Sequence, residues 1–95
     1  MQMDFHPEPI VELSESADWY AERSPASARN FFAAVDKTIA LIAVDPLRFV
    51  LIDEKHRACS VTKFPFQIVF RVDRDRMLIL AVAHAKRRPA YWKNR

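Results

Sequence analysis

"PFQIVFRVDRDRMLILAVA" (65–83) is the stretch on which the fold turns. Its first half alternates: Phe66, Ile68, Phe70 and Val72 fall on one face of an extended chain, with Gln67, Val69 and Arg71 on the other. Asp73-Arg74-Asp75 then interrupts the run as a turn, without the glycine that marks the tightest hairpins. Met77–Ala83 is apolar on both faces, the pattern of an interior strand covered from two sides rather than of an edge. Two antiparallel strands, the second deep in a sheet, are therefore the frame to which the rest must attach.

Working back from the hairpin, 58–63 is compatible with another strand, Asp53–Arg57 is charged, and "FVLI" (49–52) is apolar. Before that the period changes. Ala28, Phe31, Phe32, Val35, Ile39, Ile42 and Ala43 share one face of a helix that Ser24 caps, Pro25 opens and Asp45-Pro46 stops. A first helix is expected from about Glu8 to Arg23. Ile10, Leu13, Ala17, Tyr20 and Ala21 fall within ~100° of arc, and Glu8, Glu12, Glu15, Asp18 and Glu22 occupy the opposite ~120°. Trp19 is phased among the acids. Residues 2–6 read as a short strand closed by Pro7. The order is β-α-α-β-β-β, an α+β class in which an N-terminal strand and a helical hairpin pack on a curved, mainly antiparallel sheet. At 95 residues the chain is expected to be one domain, 1–95.

Composition narrows the function. There is no glycine, which excludes a P-loop, a dinucleotide-binding fingerprint and a Gly-x-Ser-x-Gly elbow. Residues 1–47 carry three basic and eight acidic side chains, a net of −5. Residues 48–95 carry twelve basic and four acidic, a net of +8. Such asymmetry suits an anionic partner for the second half, nucleic acid first among them, or mutual neutralisation of the halves across the fold. The seven residues 77–83 are the longest apolar run, short of the ~18 needed to cross a bilayer, and the N-terminus has no leader-like segment. Cys59 is alone. A cytoplasmic protein without membrane association is the expectation. His56 and Cys59 are three apart and would point to opposite faces of a strand; no residues have metal-ligand spacing, and no metal or other cofactor is expected.

In "ADWY" (17–20), "ARNFFAAVDKTIALIAVDP" (28–46), "KFPFQIVFRV" (63–72) and "ILAVAHAKRRPAYW" (79–92), taken in order, the chain resembles the RelE/ParE superfamily of toxins from type II toxin–antitoxin systems, along essentially its whole length. The most specific piece is a strand ending in Val-x-His, followed by basic residues and Pro-x-Tyr-Trp. The resemblance implies a protein that arrests growth unless a cognate antitoxin binds it in a heteromeric complex. RelE-like members cut messenger RNA on the ribosome without metal; ParE-like members poison DNA gyrase and have no known catalytic residues.

Metal-free RNA cleavage needs an acceptor for the 2′-hydroxyl proton, cations for the phosphorane and a donor for the leaving oxygen. His84, Arg87 and Tyr91 are the catalytic candidates under that reading. Lys63, Gln67, Lys86, Arg88 and Trp92 are the candidates for target contact, and Trp19 for antitoxin contact. Gln67, however, stands where RNA-cleaving relatives place an arginine, and a neutral amide cannot offset phosphate charge. The ParE-like branch is therefore preferred. The alternatives are the ribosome-dependent nuclease and a non-toxic relative that only binds a partner.

Each candidate also has a plain structural reading. His84 shares strand parity with Leu78, Leu80 and Val82 and could close a buried row; Tyr91 and Trp92 could fold back to seal the core. Arg87 and Arg88 could neutralise the acidic first helix.

Overall fold

The computed structural model describes residues 1–95. Strand β1 (Gln2–Phe5) leads into helix α1 (Pro7–Arg23) and helix α2 (Pro25–Val44). A short 3-10 turn (Pro46–Arg48) and a loop precede β2 (His56–Ser60), β3 (Phe66–Asp73) and β4 (Arg76–His84). The sheet order is β1-β4-β3-β2, so β4 is interior, as its two-faced apolar pattern required. β1 runs parallel to β4, and the other pairs are antiparallel.

Local chemistry sets the helix ends. His6 caps α1, its Nδ1 accepting the Glu8 N–H at 3.1 Å, and Pro7 takes the first helical position, where its missing N–H costs nothing. Ser24 closes one helix and opens the next. Its N–H donates to the Tyr20 carbonyl, and its hydroxyl accepts the Ser27 N–H at 3.3 Å. Pro46 disfavours helical backbone at Asp45, and α2 ends there.

The helical hairpin covers one face of the sheet. Phe31, wholly buried, is ringed by Tyr20, Phe64 and Phe66 at centroid distances of 5.0, 5.3 and 4.9 Å. Both helices are rotated slightly from the phase expected. In α2, Phe32 and Ala43 face solvent while Thr38 is buried, its hydroxyl satisfied by donating to the Ala34 carbonyl at 2.7 Å. In α1, Ile10 and Ala21 are exposed and Glu12 turns inward. The helix follows the sheet it packs on, and a hydrophobic arc derived from sequence cannot register that a carboxylate has partners waiting.

A bulge re-phases the central strands. Val69 lies opposite Ala81 but Phe70 opposite Ile79, which leaves Leu80 as an extra residue in β4. The expected row Leu78-Leu80-Val82-His84 is thereby broken: His84 sits opposite Phe66 on the helix-covered side, whereas Leu78 sits opposite Arg71. β2 begins at His56, two residues before the expected strand, and ends at Ser60. The chain then turns through Lys63, which has a positive φ of 70°.

The second face of the sheet is covered too. Val69, Ala81 and Ala83 lie under Trp92, with Ala58 and Tyr91 against them. The chain beyond His84 thus folds back over the sheet as a strap. No helix is long and apolar enough to cross a membrane.

Candidate functional site

Strand β1 is shorter than β4, and its last link is the His6 N–H donating to the Ile79 carbonyl. Past Ile79, the β1-side edge of β4 offers a bare Leu80 carbonyl and a bare Val82 N–H, and buried backbone groups must find partners. Glu12 of α1 and Arg95 of the strap supply them. One Glu12 oxygen accepts the Val82 N–H at 3.0 Å and an Arg95 guanidinium N–H at 3.1 Å; the other accepts the Tyr91 hydroxyl at 2.7 Å. Arg95 also donates to the Leu80 carbonyl at 2.9 Å. Both charged side chains are mostly buried, so Glu12 holds together α1, β4 and the chain end. Burial, and then the hydrogen bond to Glu12, push the Tyr91 hydroxyl well above the ordinary tyrosine range, so it stays a protonated donor.

A second anchor lies on the far face. Trp92 is 5% exposed and its ring packs 4.8 Å from the imidazole of His56, which is fully buried. His56 Nδ1 sits 2.7 and 2.9 Å from the two carboxylate oxygens of Asp53. Asp53 also accepts the backbone N–H of Lys55 at 2.9 Å and of His56 at 2.7 Å. The Lys55 bond foremost, with those from His56, holds its carboxyl at about 2 against the opposing effect of burial. The other imidazole nitrogen, Nε2, is buried without a hydrogen-bond partner.

The sequence candidates fall into separate places. His84, Lys86 and Trp19 come together in a groove of about 460 Å³, lined also by Glu15, Ser16, Tyr20, Pro65 and Phe66. There His84 stands edge-on to Phe66 at 4.9 Å, and its Nδ1 accepts the Lys86 N–H at 3.0 Å. Trp19 is 51% exposed, and the Arg23 guanidinium lies 3.2 Å above its ring, a cation–π contact that explains how an indole sits among acids. Arg87 and Tyr91 form another group, the guanidinium 4.1 Å from the ring centroid.

Gln67 is elsewhere. It pairs opposite Ala83 and Ser60 on the strap side of the sheet, while His84 is on the helix side. Lys63 lies in a separate groove, which Lys37 of α2 also lines, and Arg88 is exposed in the turn after β4. Trp92 requires a correction: expected at a target-facing surface, it is buried against His56 and the sheet, because its large apolar area covers Val69, Ala81 and Ala83. Three residues that organise the strap, Glu12, Asp53 and His56, were not recognised from sequence. The one available signal was a charged Asp53–Arg57 segment followed by strand residues, and it says nothing of pairing. No three His, Cys, Asp or Glu side chains are placed to hold a metal ion.

A model of the family described as "ParE toxin of type II toxin-antitoxin system, parDE" matches residues 4–89. Among solved structures, "Chromosomal ParDE TA system from P. aeruginosa" is similar with a TM-score of 0.80 and 16% identity, covering 90% of this chain and 97% of that one. A search of curated proteins finds no match.

Proposed function

The chain belongs to the ParE toxin family of type II toxin–antitoxin systems, and from that premise we propose that it arrests growth by poisoning DNA gyrase in the cytoplasm unless its cognate antitoxin occupies it. The observation that carries the choice of target is the commitment of Tyr91. An RNA-cleaving tyrosine must present its hydroxyl to the leaving oxygen or the phosphate, at hydrogen-bond reach. Here the hydroxyl donates to Glu12, and a carboxylate beside it would repel a phosphate. The separation of Gln67 from His84 across the sheet supports the same reading, since cations and amides on two faces cannot converge on one phosphate.

What remains exposed suits recognition of a protein target. The groove around Trp19, His84 and Lys86 combines aromatic walls with outward donors, a composition enriched at interfaces. The basic half of the chain adds attraction toward an acidic partner.

Induced expression without antitoxin tests the proposal. The expected result is growth arrest with double-strand breaks and SOS induction while translation is initially intact. New 5′ ends within codons, with early loss of translation, would replace gyrase by messenger RNA as the target. Normal growth at confirmed soluble expression would remove toxicity altogether.

A further inference from the structure

Residues 76–95 carry six Lys and Arg side chains and no Asp or Glu. Elsewhere the signs are interleaved: Arg74 lies between Asp73 and Asp75, Lys37 follows Asp36, and Lys55 follows Glu54. Two of the six cations are spent, Arg76 on Asp4 and Arg95 on Glu12. Lys86, Arg87, Arg88 and Lys93 remain, all exposed on the strap and none in an ion pair. The neighbouring acids do not offset them. Glu12 pairs with Arg95, Asp53 is held by His56, and Glu15 lines the groove of Lys86 without an ion pair to it.

This basic segment is not a loose tail. Trp92 is buried on the sheet, and the Tyr91 hydroxyl is tied to Glu12. The Ala85 N–H donates to the Pro65 carbonyl at 2.8 Å, and those of Arg87 and Lys93 close turns on the His84 and Ala90 carbonyls, each at 3.0 Å. The Arg87 guanidinium is steadied over the Tyr91 ring at 4.1 Å. Cations on a backbone already ordered lose less freedom on binding than those of a flexible tail, so each contact they make is worth more.

The chemistry of the outer face selects the partner. A protein interface draws its energy from aromatic and aliphatic anchors, and its core is depleted in lysine. The strap offers no such anchor. Trp92 packs on the sheet, Tyr91 is half-buried with the guanidinium groups of Arg87 and Arg95 on its ring, and Ala85, Pro89 and Ala90 give little apolar area. Four cations without a carboxylate suit phosphates, which arginine meets with a planar fork and lysine with a point charge. Single-stranded nucleic acid is held through aromatic rings on which its bases stack, and both rings of the strap are committed. A duplex asks only that its backbone be met, by cations spread along a surface rather than converged on one phosphate. The tie of Tyr91 to Glu12, which disfavours chemistry at a phosphate, leaves such a contact intact, because Arg95 offsets the Glu12 charge.

We propose that the outer face of the strap binds the phosphate backbone of duplex DNA, without sequence preference, through Lys86, Arg87, Arg88 and Lys93. Resting on the gyrase reading, this contact lets the toxin hold the DNA that the enzyme carries as well as the enzyme itself.

The test is fluorescence anisotropy of the purified full chain with labelled duplexes of two unrelated sequences, without gyrase, across a series of salt concentrations. Both should bind alike, with log K falling against log salt at a slope of about −4 for four phosphate contacts. Arg88→Gln/Lys93→Gln removes two exposed cations that hold nothing in the fold. It should lower affinity at least about fivefold at ~50 mM salt and flatten the slope by about 2, with thermal melting unchanged. Arg29→Gln/Lys37→Gln takes the same charge from α2 and should stay within about twofold of the unaltered chain, since distant charges are screened. No binding by the unaltered chain at the lowest salt would overturn the proposal. An equal loss in the α2 variant would also overturn it, by reducing the effect to net charge. Tighter binding of single strands, or of duplex RNA, would overturn the choice of duplex DNA. Supercoiling and cleavage assays with gyrase read the premise separately. Loss of gyrase poisoning in Arg88→Gln/Lys93→Gln with DNA binding unchanged would make the strap a contact for an acidic face of the enzyme, against the proposal. DNA binding by a chain that leaves gyrase untouched would sink the gyrase reading while keeping the strap's contact.

Discussion

Glu12 shows how much one side chain can join. Replacing it with alanine leaves the Val82 N–H, the Tyr91 hydroxyl and the Arg95 guanidinium without their acceptor in a site mostly closed to water. Loss of the shared partner of a buried charge and two donors costs about 3 kcal/mol. Urea denaturation of Glu12→Ala should register that loss, whereas Tyr91→Phe should cost only about 1 kcal/mol, because it removes a single hydrogen bond. Equal effects of the two would show that Glu12 acts only through Tyr91. Asp53 is a second test at this scale. Its folded carboxyl is held at about 2, below the ordinary 3.8, so the stability it contributes is present above pH 4 and is lost as pH falls toward 2. Denaturation midpoints of the unaltered chain and Asp53→Asn, measured from pH 7 to pH 2, should therefore converge at the acid end. A gap independent of pH would place the effect in the amide substitution rather than in the charge. At Arg74, in the loop between β3 and β4, φ is 59°, a conformation that glycine adopts without steric cost. Arg74→Gly should stabilise the protein by about 1 kcal/mol, read as a rise in Tm of several degrees.

At the scale of elements, the decisive pair is β4 and the strap that closes over it. Met77–Ala83 was legible as an interior strand because both of its faces are apolar, and both are covered. What covers the second face was open: Trp92 could contact the target and Tyr91 could serve RNA cleavage, or the two could fold back as a seal, and the fold contains Trp92 buried on that face with Tyr91 packed beside it. The preference for contact failed at Trp92 because strand residues Val69, Ala81 and Ala83 are small, leaving a flat apolar face that a large ring alone could fill. Trp92→Ala should cost about 4 kcal/mol and expose that face, giving loss of near-ultraviolet circular dichroism and uptake of a hydrophobic dye with helix content retained. A variant that keeps its near-ultraviolet spectrum would mean the strap is dispensable. The bulge at Leu80 is of the same order of detail. It moves His84 to the helix side, against the parity read from sequence, since an inserted residue resets a period of two without leaving any mark in composition.

For the whole molecule, the sequence by itself determined the element order, the α+β class and the family. The reason is that these depend on local signals: apolar period, proline and serine at helix boundaries, and a strand apolar on both faces. The charge division, −5 against +8, was also plain, and part of it is resolved across the fold where Glu12 of the acidic half meets Arg95 of the basic half. Only the tertiary structure decided which candidates share a site. It joined Trp19 to His84 and Lys86, which are 65 or more positions apart, and parted Gln67 from His84, which sit on adjacent strands. It also turned Tyr91 from a prospective donor to substrate into a donor to Glu12. Those outcomes depend on which face of a strand a residue occupies and on which buried groups still lack a partner, and both are settled only when the sheet, the helix and the chain end are packed together.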